Sequence, residues 1–418
     1  MQNGQPPREA PVTQRTPSQE SADACRTDRP ARVDVLCNAP GRSPRSGPAT
    51  LSPDIRLFFN FVKAAGITGI FGYHLYNEYI GLGAMKTIFD AGILRYLFSN
   101  TSSLVEYLCA TMQIGFIFGS VGVQFFIIAS GFGLYFSHLS HAEHWLLFFR
   151  KRMVRIIPLY YFVLLCGFLV KVYVLQDAPP ARFEILARHF FLIHTLNDAY
   201  LSYGAFYFVG VICQLYLLFP VITIILRQRH WKLPFFAFTF FLSFILKTLL
   251  SIAGMTFSGI LVSDYLPYFV LGMLIADSVA DSGRLHLWLF DMRVSVFSVL
   301  SLIGVLFLLN SGVGYSDIVR TMVSFLLFLS LPLFFRAAGF LRATSLINAL
   351  ACSAFVFFMV HMIYIRAGLH LIHQHGLYGS IGSYLHWIPL GLLFFLLSFF
   401  TAHLLQRGYD RISAPKPT

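Results

Sequence analysis

Residues Arg56–His74 read RLFFNFVKAAGITGIFGYH. The stretch is apolar enough to cross a bilayer, yet it contains Lys63 and ends in His74. A cation near the centre of a membrane helix costs about 2.5 kcal/mol or more, so such a residue faces the bundle interior and has a partner or a task. Lys63 and His74 are eleven positions apart, which sets them about 20° apart around a helix axis and about 16 Å apart along it. One ammonium and one imidazole therefore share a face and line a polar seam. The alternative reading is that Lys63 snorkels to one membrane surface and His74 sits wetted at the other.

The rest of the chain repeats that apolar character. Of 418 residues, 56% are hydrophobic and only 12% charged, with a mean hydropathy of +0.67. Apolar runs of about 20 residues recur, which predicts an all-α, polytopic membrane protein rather than a soluble domain or a β-barrel. Ten helices are expected, near 56–77, 111–136, 156–175, 204–226, 234–253, 258–278, 294–310, 318–335, 347–368 and 381–405. The lipid bilayer is thus the first partner. The net charge of +12 does not indicate nucleic acid, because the cations collect in short loops between apolar runs. Cys25, Cys37, Cys109, Cys166, Cys213 and Cys352 are scattered, with no zinc spacing and no readable disulfide framework.

Residues 1–53 differ in kind. They are rich in Pro, Ser, Gln and Arg, with too little apolar surface to fold and no signal-peptide core. We expect a disordered, basic, cytoplasmic tail ahead of a membrane domain at 54–418. With the N-terminus inside, the inner loops hold Arg150, Lys151, Arg152, Arg155, Arg227, Arg229, Lys232 and further basic residues up to Lys416. The outer loops hold Lys86, Arg95, Arg182 and Arg188, with Arg320 and Arg366 at outer helix ends. This asymmetry follows the positive-inside rule and returns the C-terminus to the cytoplasm.

Four further features carry chemistry. The first inner loop, Phe148–Pro158, holds Arg150, Lys151, Arg152 and Arg155 just before an expected helix start, with Pro158 in its first turn. Arginine forks and free helix N–H groups suit phosphate, although basic residues also gather there for topology alone. The segment Gly122–Phe132 (GVQFFIIASGF) offers small residues for close helix approach and Ser130, which can also bond back to its own helix. Gln214 and Tyr216 in QLYLLFP are polar groups at membrane depth that need partners. His361 lies in the middle of FVFFMVHMIYI and either touches substrate or bonds between helices. His370, His373 and His375 form an interfacial cluster to which we assign no metal, and Lys247 and Asp264 read as a structural ion pair.

In this order and spacing, Lys63-x10-His74, GVQFFIIASGF, the Arg152-x2-Arg155 loop before IIPLYY, QLYLLFP and the helix around His361 resemble the acyltransferase-3 family of membrane O-acyltransferases. The likeness spans about 55–405. Many bacterial members carry Trp-Ser-Leu-x-x-Glu before the QxxY segment. Here the stretch is Tyr207–Ile212 (YFVGVI) and the Glu is absent, as in the exopolysaccharide O-succinyl- and acetyltransferase-like branch. The resemblance implies no bound cofactor and acyl-CoA, in particular acetyl-CoA, as co-substrate, docked by Arg150, Lys151, Arg152 and Arg155. It implies a carbohydrate acceptor, His74 as general base or acyl carrier, and Lys63 as oxyanion stabiliser, phosphate holder or structural partner. Ser130, Gln214, Tyr216 and His361 are candidate substrate-lining residues. A polysaccharide or lipid-linked sugar transporter, and a non-enzymatic envelope component, are the competing classes.

Overall fold

The computed structural model describes residues 51–80, 92–99, 101–140, 144–176, 180–192, 194–196, 206–253, 261–281, 283–311, 317–340, 343–375 and 384–413. The expected disordered tail lies outside them. The described residues are helical, without strands: α1 Pro53–Ile80, α2 Ile93–Phe98, α3 Leu104–Ile117, α4 Gly122–Ser140, α5 Trp145–Tyr173, α6 Pro180–Phe190, α7 Tyr207–Arg227, α8 Lys232–Ile252, α9 Leu266–Ala280, α10 Arg284–Leu289, α11 Met292–Asn310, α12 Asp317–Phe340, α13 Thr344–Gln374 and α14 Tyr384–Ser413. A 3₁₀ turn, Phe118–Val121, joins α3 to α4 into a single pass. Among the described residues, nine helical passes are long and apolar enough to cross a membrane, and α9 is a shorter apolar helix.

The direction of packing shows that α9 is also a pass. α1 and α13 run the same way, because their contacts advance in step: Asn60 donates to Asn348 at 2.9 Å, His74 meets His361, and Arg366 donates to Glu78 at 2.8 Å. Six of the long passes lie between them in the chain, and six crossings would leave the two helices antiparallel. α9 supplies the seventh. It runs antiparallel to α8, tied at one end by Lys232 and Asp277 and at the other by Lys247 and Asp264, 3.1 Å apart. The ion pair expected at Lys247 and Asp264 is thus present, though Asp264 sits in the 3₁₀ turn Val262–Asp264 ahead of the helix.

Small residues set how closely the passes approach. A Cβ on Gly119 would stand 2.0 Å from the Gly69 carbonyl oxygen, and one on Gly122 would stand 2.1 Å from that of Gly66. Backbone against backbone in this way maximises dispersion contact where lipid supplies no hydrophobic drive between helices. Gly131 and Gly272 make the same contact between α4 and α9. Outlying helices are far less buried, and Phe241, Phe244, Phe297 and Phe307 stand exposed toward the lipid.

One boundary corrects the sequence reading. Arg150, Lys151, Arg152 and Arg155 are not in a loop before a helix. They lie inside α5, and Pro158 is interior to it rather than in its first turn. Proline lacks the N–H that would bond the carbonyl four residues back, which ordinarily costs about 3 kcal/mol or more. Here the carbonyl of Val154 accepts from the Tyr409 hydroxyl of α14 instead, so the helix continues through Pro158. The free N–H groups of α5 belong to its first turn at Trp145, and the arginines act as side chains alone.

Candidate active site

A cavity of about 310 Å³ opens among α1, α4, α5, α7, α13 and α14, toward the end of the bundle where α1 begins. Lys63, Arg152 and Arg155 line it, and among the described residues no lining side chain is acidic. Ser130, Tyr216, Cys352 and Gln406 supply its neutral polar groups. Ser130 Oγ and the Tyr216 hydroxyl lie 3.3 Å apart, a bond between α4 and α7 in place of the back-bond that Ser130 could make within its own helix. The Arg152 guanidinium packs over the ring of Phe148 at 5.6 Å, and Phe148 stacks on Phe219 at 4.9 Å. This aromatic pair holds a cation at the cavity wall. Arg150 and Lys151 do not line the cavity and are exposed on the same helix. Of the four expected anion ligands, the fold therefore gathers two, together with Lys63.

His74 lies elsewhere. It is partly buried, and its ring centroid is 5.3 Å from that of His361, which is 0% exposed. His361 Nδ1 lies 3.1 Å from the Phe357 carbonyl of its own helix. Beyond the two histidines, Arg366 clasps Glu78 through two guanidinium nitrogens, at 3.0 and 2.8 Å. That pair fixes α1 against α13 at the far end, as Asn60 and Asn348 do at the near end.

Lys63 and His74 do share a face, since both turn to α13. Aromatic rings nevertheless lie between them. Phe126 and Phe208 form the inner end of the cavity, with centroids 6.1 Å apart, and Phe358 packs on both at 6.3 and 4.8 Å. Phe358 in turn lies 5.8 Å from His361. An aromatic layer thus separates the cationic cavity from the histidine pair, where the sequence reading expects one continuous polar seam. Aromatic residues are so frequent in this chain that their spacing alone does not reveal which of them meet.

Gln214 also stands apart from the cavity. It donates to Thr195 at 3.4 Å and so anchors the segment between α5 and α7. Tyr160 donates to the His189 carbonyl at 3.0 Å, and the His189 and His194 rings stack at 4.0 Å. Burial holds His194 below its ordinary range of titration. Neither histidine, nor the Glu78–Arg366 pair, stands in a motif recognised in the sequence. A Glu four residues after His74 and an Arg five residues after His361 are the signal that could have found the latter. Of the expected histidine cluster, His370 is partly buried and His373 and His375 are exposed at the end of α13; among the described residues no group of three metal-ligating side chains forms.

An all-helical membrane bundle holding three cations at one end of a cavity and two histidines beyond it is the architecture of this protein. The chain belongs to the acyltransferase-3 family, matching its acyltransferase domain over residues 56–404, and is thereby a membrane acyltransferase. No curated protein and no solved structure matches it.

Proposed function

We propose that the protein moves a short acyl group, acetyl or succinyl, from acyl-CoA to a hydroxyl of an extracytoplasmic or lipid-linked carbohydrate. The observation that carries this reading is the convergence of Lys63, Arg152 and Arg155 on one acid-free cavity, packed against the same helix pair that carries His74 and His361. A polyanionic donor suits that cavity, because guanidinium groups bind phosphate through paired hydrogen bonds. The family membership supports acyl transfer, and the absent Glu in Tyr207–Ile212 favours the exopolysaccharide-acylating branch.

In this mechanism a ring nitrogen of His74 takes the proton of the acceptor hydroxyl. The freed oxygen bonds to the thioester carbonyl carbon, the carbon–sulfur bond breaks, and the departing CoA thiolate receives the proton back from His74. Imidazole suits the task because one ring nitrogen can take up a proton and later return it. Lys63 lies about 16 Å from His74 along the helix, too far to touch the same carbonyl. Its role is to hold the donor's phosphates with Arg152 and Arg155, while the pantetheine arm passes between the rings of Phe126, Phe208 and Phe358, which part to let it reach His74. The donor side is the cytoplasm of a bacterial cell, with the protein in the plasma membrane and both termini inside.

The test is a titration of acetyl-CoA and succinyl-CoA onto the purified protein in lipid nanodiscs, followed by transfer of labelled acyl groups to membrane glycolipid. Saturable binding and labelled carbohydrate are expected; a protein that binds neither thioester overturns the reading. A reporter fused after Thr418 should lie in the cytoplasm and one near Gly314 outside, and the reverse labelling would place the cavity on the wrong side for acyl-CoA.

A further inference from the structure

His361 carries a buried nitrogen without a partner. Its side chain is 0% exposed, and Nε2 meets no hydrogen-bonding group among the described residues. Leaving such a group unsatisfied away from water is costly. The other nitrogen defines its state. Nδ1 is 3.1 Å from the Phe357 carbonyl, which can only accept, so the proton of a neutral ring sits on Nδ1 and Nε2 presents a lone pair. The nearest ring able to donate to that lone pair is His74, at 5.3 Å between centroids and 46° between planes. The two rings are not hydrogen-bonded as they stand. They are near enough for their nitrogens to meet once His74 turns about its side-chain bonds, and such bonds are commonly loose before substrate arrives.

We propose that His361 is the positioning residue for His74. Its Nε2 accepts the N–H of His74 on the face turned to α13. This leaves the lone pair on the other nitrogen of His74, aimed at the acceptor hydroxyl. The chain of bonds runs from the Phe357 carbonyl through His361 to His74, and it fixes both tautomers from the helix backbone outward. His361 itself touches no substrate, because α13 buries it completely behind His74. Glu78 and Arg366, already paired with each other, lie on the far side. The inference rests on the acyl-transfer reading for its kinetic consequence but not for its geometric one.

Two variants separate the orienting bond from mere packing. His361→Leu fills the space without an acceptor, and His361→Gln places an amide oxygen near the position of Nε2. In full-length protein in nanodiscs, with acetyl-CoA as donor and membrane glycolipid as acceptor, His361→Leu should lower kcat about 10²-fold with acetyl-CoA affinity unchanged. His361→Gln should recover about tenfold of that loss. A second readout does not depend on acyl transfer. Diethyl pyrocarbonate attacks unprotonated ring nitrogens, and mass spectrometry locates the product. His74 should be modified in the parent protein and His361 spared, with His74 reacting several-fold more slowly in His361→Leu and at an intermediate rate in His361→Gln. Equal reactivity of His74 in all three proteins overturns the orienting role, even if acyl transfer is demonstrated. Graded reactivity in a protein that transfers no acyl group upholds the orienting role and removes the acyltransfer reading. Equal loss of kcat in both variants assigns His361 to packing alone and overturns the inference.

Discussion

The two ends of the α1–α13 contact are built on opposite principles. At the near end, Lys63, Arg152 and Arg155 surround an open cavity, where three like charges repel one another unless an anion joins them. At the far end, His74 and His361 sit ring to ring in a packed layer, with phenylalanines on one side and the Glu78–Arg366 pair on the other. The first region gathers positive charge around an open cavity. The second is packed among rings, with His361 fully buried and His74 partly so. Phe126, Phe208 and Phe358 keep the two apart. On the proposed reading, a site divided in this way would hold a donor's phosphates apart from the nitrogen that takes the proton.

Replacing the reacting group should separate the two regions most sharply. His74→Ala should reduce transfer by about 10³-fold, within the range that positioned acid–base groups supply, while acetyl-CoA still binds. Transfer near the parental rate would show that the histidine layer is structural. Removing charge at the other end should have the converse signature. Arg152→Ala with Arg155→Ala should weaken acetyl-CoA binding by about 10- to 100-fold, since each bond to a charged group is worth about 1.5–3 kcal/mol and solvent screens part of it. Lysines at both positions should restore only part of that affinity, because the planar fork is lost. A calorimetric titration that finds unchanged affinity would leave the two arginines to topology alone.

The barrier between the regions predicts a smaller effect of different form. Phe358→Leu keeps the layer apolar but thins it. Release of free CoA in the absence of acceptor should rise about two- to fivefold, since the dispersion attraction of any one atom pair in the layer is small. No rise would mean that the thioester reaches His74 by another path. Gln214→Leu should matter least. Its bond to Thr195 is long at 3.4 Å and remote from both regions, so it should cost less than about 1 kcal/mol in thermal unfolding and leave kcat within twofold. A large loss of transfer would return Gln214 to the substrate path.

Much of this was legible in the chain. The apolar runs specify helices and their number, because a bilayer leaves a backbone segment few other ways to satisfy its hydrogen bonds. A cation and an imidazole eleven residues apart on such a run must share a face whatever else the fold does, and both turn to α13. The family resemblance, carried by weak motifs in a specific order, agrees with the match over 56–404. The expected ion pair of Lys247 with Asp264 is also present.

Other features depend on contacts between residues far apart in sequence. Pro158 looks like a helix start until the Tyr409 hydroxyl, from the last pass, takes over the carbonyl that proline leaves free. The stretch Phe148–Pro158 looks like a loop for the same reason, and only rotation about the α5 axis decides that Arg152 and Arg155 line the cavity while Arg150 and Lys151 do not. Leu266–Ala280 is short for a pass, and the direction of its neighbours establishes that it is one. The pairing of His74 with His361, nearly 290 residues apart in sequence, has no local signature at all. A single chain determines the period and polarity of each helix, since these follow from neighbouring residues in the bilayer. Which faces meet is decided by glycine contacts and ring packing among helices, and those exist only once the bundle has assembled.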